Sequence, residues 1–142
     1  MKITEDRMKH CLEVANKMKH FASSRCEKYD NANEMFVLGF LHDVGYEFSD
    51  KQEDHAQNGG EILKEQRYKY WKEVYYHGYP QNEYISKELA LLNYADMTTG
   101  PRGENMSVDE RIKDIKIRYG ENSYQALAAK ELADSLRQVG FY

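Results

Sequence analysis

The sequence is poor in residues that bend or crosslink a chain. Two prolines and nine glycines in 142 residues are too few for the turn-rich sequence of a β-sandwich. The two cysteines, Cys11 and Cys26, form no CxxC or other zinc-like spacing. Basic residues are not in excess: 20 Lys and Arg stand against 24 Asp and Glu, for a formal net charge of −4. The electrostatic footprint that a nucleic-acid polymer requires is therefore missing. No apolar run approaches the roughly 20 residues that span a bilayer, and the opening MKITEDRMKH lacks a secretory pattern. With no export signal, a cytoplasmic protein with reduced thiols is expected. Neither a repeat nor a linker interrupts the chain, so residues 1–142 are expected to form one domain, large enough to bury a core.

Helical periodicity is what the sequence has in quantity. From about Glu5 to Ala22, Met8, Cys11, Leu12, Ala15 and Met18 are expected on one face, with Thr4 as N-cap. Asn33 is expected to cap the helix holding MFVLGFLHD, and Gly45 to occupy its C′ position. Asp54 and Gln57 resemble a capping box for a helix through about Gln66. YKYWKEVYYHG reads as a short helix ended near Gly78 and Pro80, and Glu83 to about Thr98 as a longer one. TTGPRGEN is the most turn-rich segment. Beyond it, Ser107 and Glu110 form a capping-box signature for a helix to about Tyr119, and a last helix runs from about Asn122 to Gln138. No convincing alternating stretch is present. The expected class is all-α, a single helical bundle of about six to seven helices.

Chemistry resides in a few polar residues on apolar faces. In MFVLGFLHDVGYEF, His42 and Asp43 end an apolar run, and burying such a pair is costly unless both are paired or hold a metal. His10 edges the first helix's apolar stripe, His77 shares a face with Tyr70 and Val74, and Asp96 interrupts the row Leu89, Leu92, Asn93. His55 opens the helix after the His-Asp pair, while His20, between lysines, reads as solvated. Singly, each is more simply a hydrogen-bonded core residue. Together they would need many separate partners, whereas one divalent ion bound by imidazole nitrogens and carboxylate oxygens would satisfy them at once. The aromatic run around Trp71 reads as core packing with lysines 69 and 72 on its wet side.

The ordered set His10, His42-Asp43, Asp96 resembles the H…HD…D signature of the HD-domain superfamily of metal-dependent phosphohydrolases. HCLEVA, LGFLHDVGYE, HAQNGGEIL, VYYHG and LLNYADM each resemble a motif of that family. The resemblance covers about residues 7–98, with C-terminal helices at about 107–138 beyond it. It implies an HD-domain-like helical fold and mononuclear metal ligands at His10, His42, Asp43 and Asp96. In members with two metals, further histidines correspond to His55 and His77. The resemblance departs at Tyr46, where many relatives carry Lys, and this puts a basic phosphate contact at that point in question. HA..GG..L is most similar to small stand-alone hydrolases, including the symmetrical dinucleoside tetraphosphatase group. HGYP has the letters of the cyclic-di-GMP phosphodiesterase branch without its surrounding residues.

The implied cofactor is one or two divalent ions. Mixed imidazole and carboxylate ligands suit Fe, Mn, Co, Ni or Zn better than Mg. Such an ion would activate a water for attack on a phosphoester or phosphoanhydride, with Asp43 and His42 at the catalytic centre. Phosphate needs cations, and Arg102, Lys51 and Arg111 are the candidates, Arg102 first because its loop follows Asp96 directly. The expected substrate is a small phosphorylated molecule, a nucleotide foremost, with no nucleic-acid polymer or membrane as partner and a homodimer open. Two other readings remain at this level: a di-iron HD-type oxygenase, and a catalytically silent nucleotide-binding regulatory domain.

Overall fold

A computed structural model describes residues 3–25, 29 and 31–142; Cys26 lies outside them. Seven α-helices follow in order among the described residues: α1 Glu5–Ser24, α2 Ala32–Leu41, α3 His55–Glu65, α4 Trp71–Tyr76, α5 Lys87–Met97, α6 Val108–Tyr119 and α7 Tyr124–Gln138. Two 3₁₀ segments, Val44–Phe48 and Gln52–Asp54, join α2 to α3. The only sheet-type pairing among the described residues is an isolated bridge between Thr99 and Asn105. The protein is all-α.

Side-chain caps mark four of the predicted helix starts. Thr4 accepts from the Arg7 amide at 3.1 Å, and Ser107 and Glu110 complete a reciprocal capping box on α6. Ser86 caps α5 and Ser123 caps α7, so both helices begin a little later than periodicity alone suggests. Two other starts differ. Asn31, not Asn33, caps α2 by accepting from the amides of Asn33 and Glu34. Asp54 makes no capping bond, because it is itself the last residue of a 3₁₀ segment that runs straight into α3 and so is not extended as an N-cap is.

The buried face of α1 also differs. Cys11, Val14, Ala15 and Met18 are buried, while Met8 and Leu12 are 44% and 47% exposed. The spacing 11, 14, 15, 18 is a stripe of i, i+3, i+4, i+7, and Leu12 lies about 100° away from Cys11 on the helix surface. This face lies against α2 where Gly39 permits close approach: a Cβ at Gly39 would sit 2.8 Å from the Ala15 Cα. A first core joins Val14, Met18, Met35, Leu38, Val74, Leu91 and Leu92. A second, under α6 and α7, gathers Met97, Val108, Ile115, Ala126, Ala129 and Leu132. Helix α5 contributes to both. Tyr70 and Val74 are buried and Trp71 is partly buried against the first core, so the aromatic run packs rather than projects.

Candidate metal centre

Three of the site histidines stand at helix ends. His42 is the C-cap of α2, His55 opens α3 and His77 is the C-cap of α4. Carbonyls near such ends lack full intrahelical partners, and each imidazole uses the one three residues earlier. The Nδ1 atoms of His42, His55 and His77 lie 2.6 Å from the carbonyls of Gly39, Gln52 and Val74. His10, on α1, reaches across to the Gly100 carbonyl at 2.8 Å. A carbonyl can only accept, so all four Nδ1 atoms carry hydrogen, and in the neutral rings all four Nε2 atoms present lone pairs.

Those lone pairs converge. His55 Nε2 and His77 Nε2 are 3.2 Å apart, and His10 Nε2 is 2.8 Å from Asp96 Oδ1. Asp43 faces both halves of the cluster. Its Oδ1 lies 3.3 Å from His55 Nε2 and 3.4 Å from His77 Nε2, while its Oδ2 lies 3.4 Å from His42 Nε2 and 3.7 Å from His10 Nε2. His42 Nε2 is buried and without a hydrogen-bond partner. Its nearest carboxylate oxygens, at 3.4 and 3.5 Å, are beyond good hydrogen-bond length.

Acceptors facing acceptors require a cation between them: a proton or a metal ion. Burial by itself lowers the pKa of His10 and His42, yet the Asp96 and Asp43 carboxylates outweigh it and raise both above the ordinary value. Burial likewise pushes Asp43 and Asp96 up, but the neighbouring imidazoles hold both well below the carboxylate range. Three ligand sets have donor atoms within 4.8 Å of one another: His10, His42, Asp43; His42, His77, Asp96; and Asp43, His55, His77. Nitrogen and oxygen donors with backbone-fixed tautomers fit a divalent transition-metal ion. The structure thus brings His10, His42, Asp43, Asp96, His55 and His77 into one cluster, with one Asp43 oxygen toward each half of it.

Gly45 does not end α2. It sits inside the Val44–Phe48 3₁₀ segment, and His42 already closes the helix in right-handed geometry. Its lack of a side chain serves another purpose: a Cβ there would stand 1.8 Å from the His55 carbonyl oxygen. Gly45 therefore allows α3 to approach closely enough for His55 to reach Asp43.

The cluster opens into a cleft of about 950 Å³, its open mouth included. Arg111 lines it; Lys51 and Arg102 do not. Lys51 is exposed in the connection between the two 3₁₀ segments. Arg102 is 65% exposed and lies 3.6 Å from Asp6. Its loop closes tightly through the Gly100–Glu104 hydrogen bond of 2.7 Å, so the loop offers the site the Gly100 carbonyl rather than a guanidinium. Two arginines absent from the sequence-derived set do line the cleft, Arg7 and Arg118. Arg7 Nη1 is 3.2 Å from Asp43 Oδ2, and its guanidinium lies 3.7 Å over the Tyr46 ring, which stacks on His55 at 4.1 Å. The spacing of Arg7, one helical turn before His10, was the available signal.

No helix among the described residues is long and apolar enough to cross a membrane. No curated protein and no solved structure matches the chain. The family model described as HD domain does match, over residues 7–119, about four-fifths of the chain. That span holds every member of the His/Asp cluster, and the chain therefore belongs to the HD-domain family of metal-dependent hydrolases.

Proposed function

We propose that this protein is a metal-dependent phosphohydrolase that cleaves a phosphoester or phosphoanhydride of a small phosphorylated molecule, a nucleotide foremost. The observation that carries the reading is the set of four imidazoles whose Nδ1 atoms are committed to backbone carbonyls. Every remaining lone pair is aimed at a shared centre beside two carboxylates. A divalent transition-metal ion held there supplies an acidified water and neutralises charge on a phosphoryl oxygen.

The chain's own residues do the rest. His10, His42, His55, His77, Asp43 and Asp96 would hold one or two ions among Fe, Mn, Co, Ni and Zn. Asp43, with one oxygen toward each half of the cluster, would orient the attacking water and accept its proton. Arg7, held by Asp43 and Tyr46, presents a guanidinium to a phosphoryl oxygen. It takes over the cationic role that Tyr46 cannot fill. The negative net charge favours a small substrate over a nucleic-acid polymer.

The test is elemental analysis of the purified protein together with a phosphate-release screen over nucleotides and small phosphoesters. A co-purifying transition metal is expected, with activity that His42→Ala and Asp43→Ala abolish. Intact turnover in those variants would overturn the proposal.

A further inference from the structure

The cleft carries a second cationic feature, on a helix that bears none of the His/Asp cluster. Arg111 and Arg118 on α6 both line the cleft, and they share one carboxylate. Arg111 Nη1 lies 3.2 Å and Arg118 Nε 3.3 Å from the same oxygen, Asp114 Oδ2. Two guanidinium charges against one carboxylate leave a net positive charge. An ordinary pair along an exposed helix face would be worth little and would leave no polar atom stranded. Here the Arg111 side chain is only 18% exposed, and its Nε is buried without a partner, an arrangement that costs stability unless a ligand completes it.

The composition of the cleft points the same way. Three arginines line it, Arg7, Arg111 and Arg118, and no lysine does among the described residues. The sequence holds 13 Lys and only 7 Arg, so the cleft is enriched in guanidinium, whose fork matches oxyanions in a way that ammonium cannot. Its only lining carboxylates are Asp43 and Asp96, both within the metal cluster. Apart from that cluster, the cleft lining holds no carboxylate among the described residues.

We propose that Arg111 and Arg118, braced by Asp114, form a second anion subsite. It would select substrates that carry a further phosphate or other oxyanion besides the group held at the His/Asp cluster. The inference rests on the phosphohydrolase reading, because it presumes that the cluster takes the first phosphate. Asp114 holds the two guanidinium groups side by side through one oxygen, and it competes with the incoming anion for them.

Binding of orthophosphate and of a tripolyphosphate whose P–O–P bridges are replaced by non-hydrolysable methylene groups (tripolyphosphate below) to metal-loaded protein, followed by titration calorimetry, tests this subsite without turnover. The wild type should prefer tripolyphosphate. Arg118→Gln should lower the tripolyphosphate-to-orthophosphate affinity ratio by about tenfold or more, the loss of one charge-assisted contact. Asp114→Asn should raise the ratio, a gain that misfolding cannot imitate. An unchanged ratio in both variants, or a change of the same sign in both, would overturn the subsite. Should Arg118→Gln fail to fold, Arg118→Lys, which keeps the charge but not the fork, should lower the ratio in its place, and an unchanged ratio there would count against the proposal. The phosphate-release screen over nucleotides and small phosphoesters, run on the wild type, separates the two ideas. No release from any substrate over all metals, with the ratio still dependent on Arg118, would strike the hydrolase reading and leave the subsite standing.

Discussion

A histidine with Nδ1 bonded to a carbonyl can offer only one atom to anything else. In this protein four histidines are so committed, and the direction of each Nε2 follows from backbone rather than from flexible side chains. Arg7 works beside them through the Tyr46 ring and the Asp43 carboxylate. Arg7→Gln should therefore lower phosphate release by about ten- to a hundredfold, the usual cost of losing a charged transition-state contact. Its metal content should stay that of the wild type, read by elemental analysis on the same samples. Arg7→Lys should rescue poorly, since an ammonium neither stacks on Tyr46 nor forks toward phosphate. Gly45→Ala tests a steric claim instead. With a methyl forced to 1.8 Å from the His55 carbonyl, it should cost about 3 kcal/mol or more in urea unfolding. Metal content should fall with it, because α3 must retreat and take His55 along.

The helices divide into those that carry ligands and those that close the cleft. Helices α1 to α5 and the turns that close α2 and α4 bear the six His and Asp residues, while α6 and α7 pack on the second core and α6 brings Arg111 and Arg118 to the cleft lining. Ser107 caps α6 through a complete capping box, at a position remote from the ligands. Ser107→Ala should destabilise the protein by about 1 kcal/mol and leave the metal content unchanged, measured by denaturant unfolding and elemental analysis. Loss of metal in that variant would show that α6 steadies the cluster as well as the cleft. Capping by Thr4, Ser107 and Glu110 was legible in the sequence because it depends on residues three apart. The capping of α2 by Asn31, two positions before the expected Asn33, was not. NAN offers two equivalent asparagines, and spacing along the chain does not rank them.

At the scale of the whole molecule, the cluster couples folding to protons and metal. In metal-free protein, protonated His10 and His42 stabilise the fold because their pKa values are raised by Asp96 and Asp43 against the opposing effect of burial. That contribution is fully present below about pH 6.5 and is lost as pH rises through the raised values. Asp43 and Asp96 have depressed pKa values, so their contribution is present above about pH 3.9 and fades as pH falls below it. Chelator-treated protein should accordingly be most stable between about pH 4 and 6.5 and lose stability toward pH 8. Metal should reverse that loss, adding about 2.7 kcal/mol at a hundredfold excess over its dissociation constant. Thermal melts across pH with and without added metal check both signs. A metal-free protein whose stability rises steadily from pH 5 to 8 would contradict the assignment of protons to this cluster.

The all-α class, most helix boundaries and the order His10, His42-Asp43, Asp96 were settled by sequence alone, because periodicity and caps are local and the motif residues stand out as polar groups on apolar faces. His55 and His77 were visible there only as residues that could join them. Tertiary structure decided what no local pattern encodes. It made Gly45 a point of close approach rather than a helix stop, since the contact it relieves is with His55 on another element. It turned Arg102 outward and made its loop supply a carbonyl to His10. It chose Arg7 and Arg118 over Lys51 as cations of the cleft. Charge on a helix surface looks alike in sequence whether it meets water or a site, and only packing across distant segments separates the two.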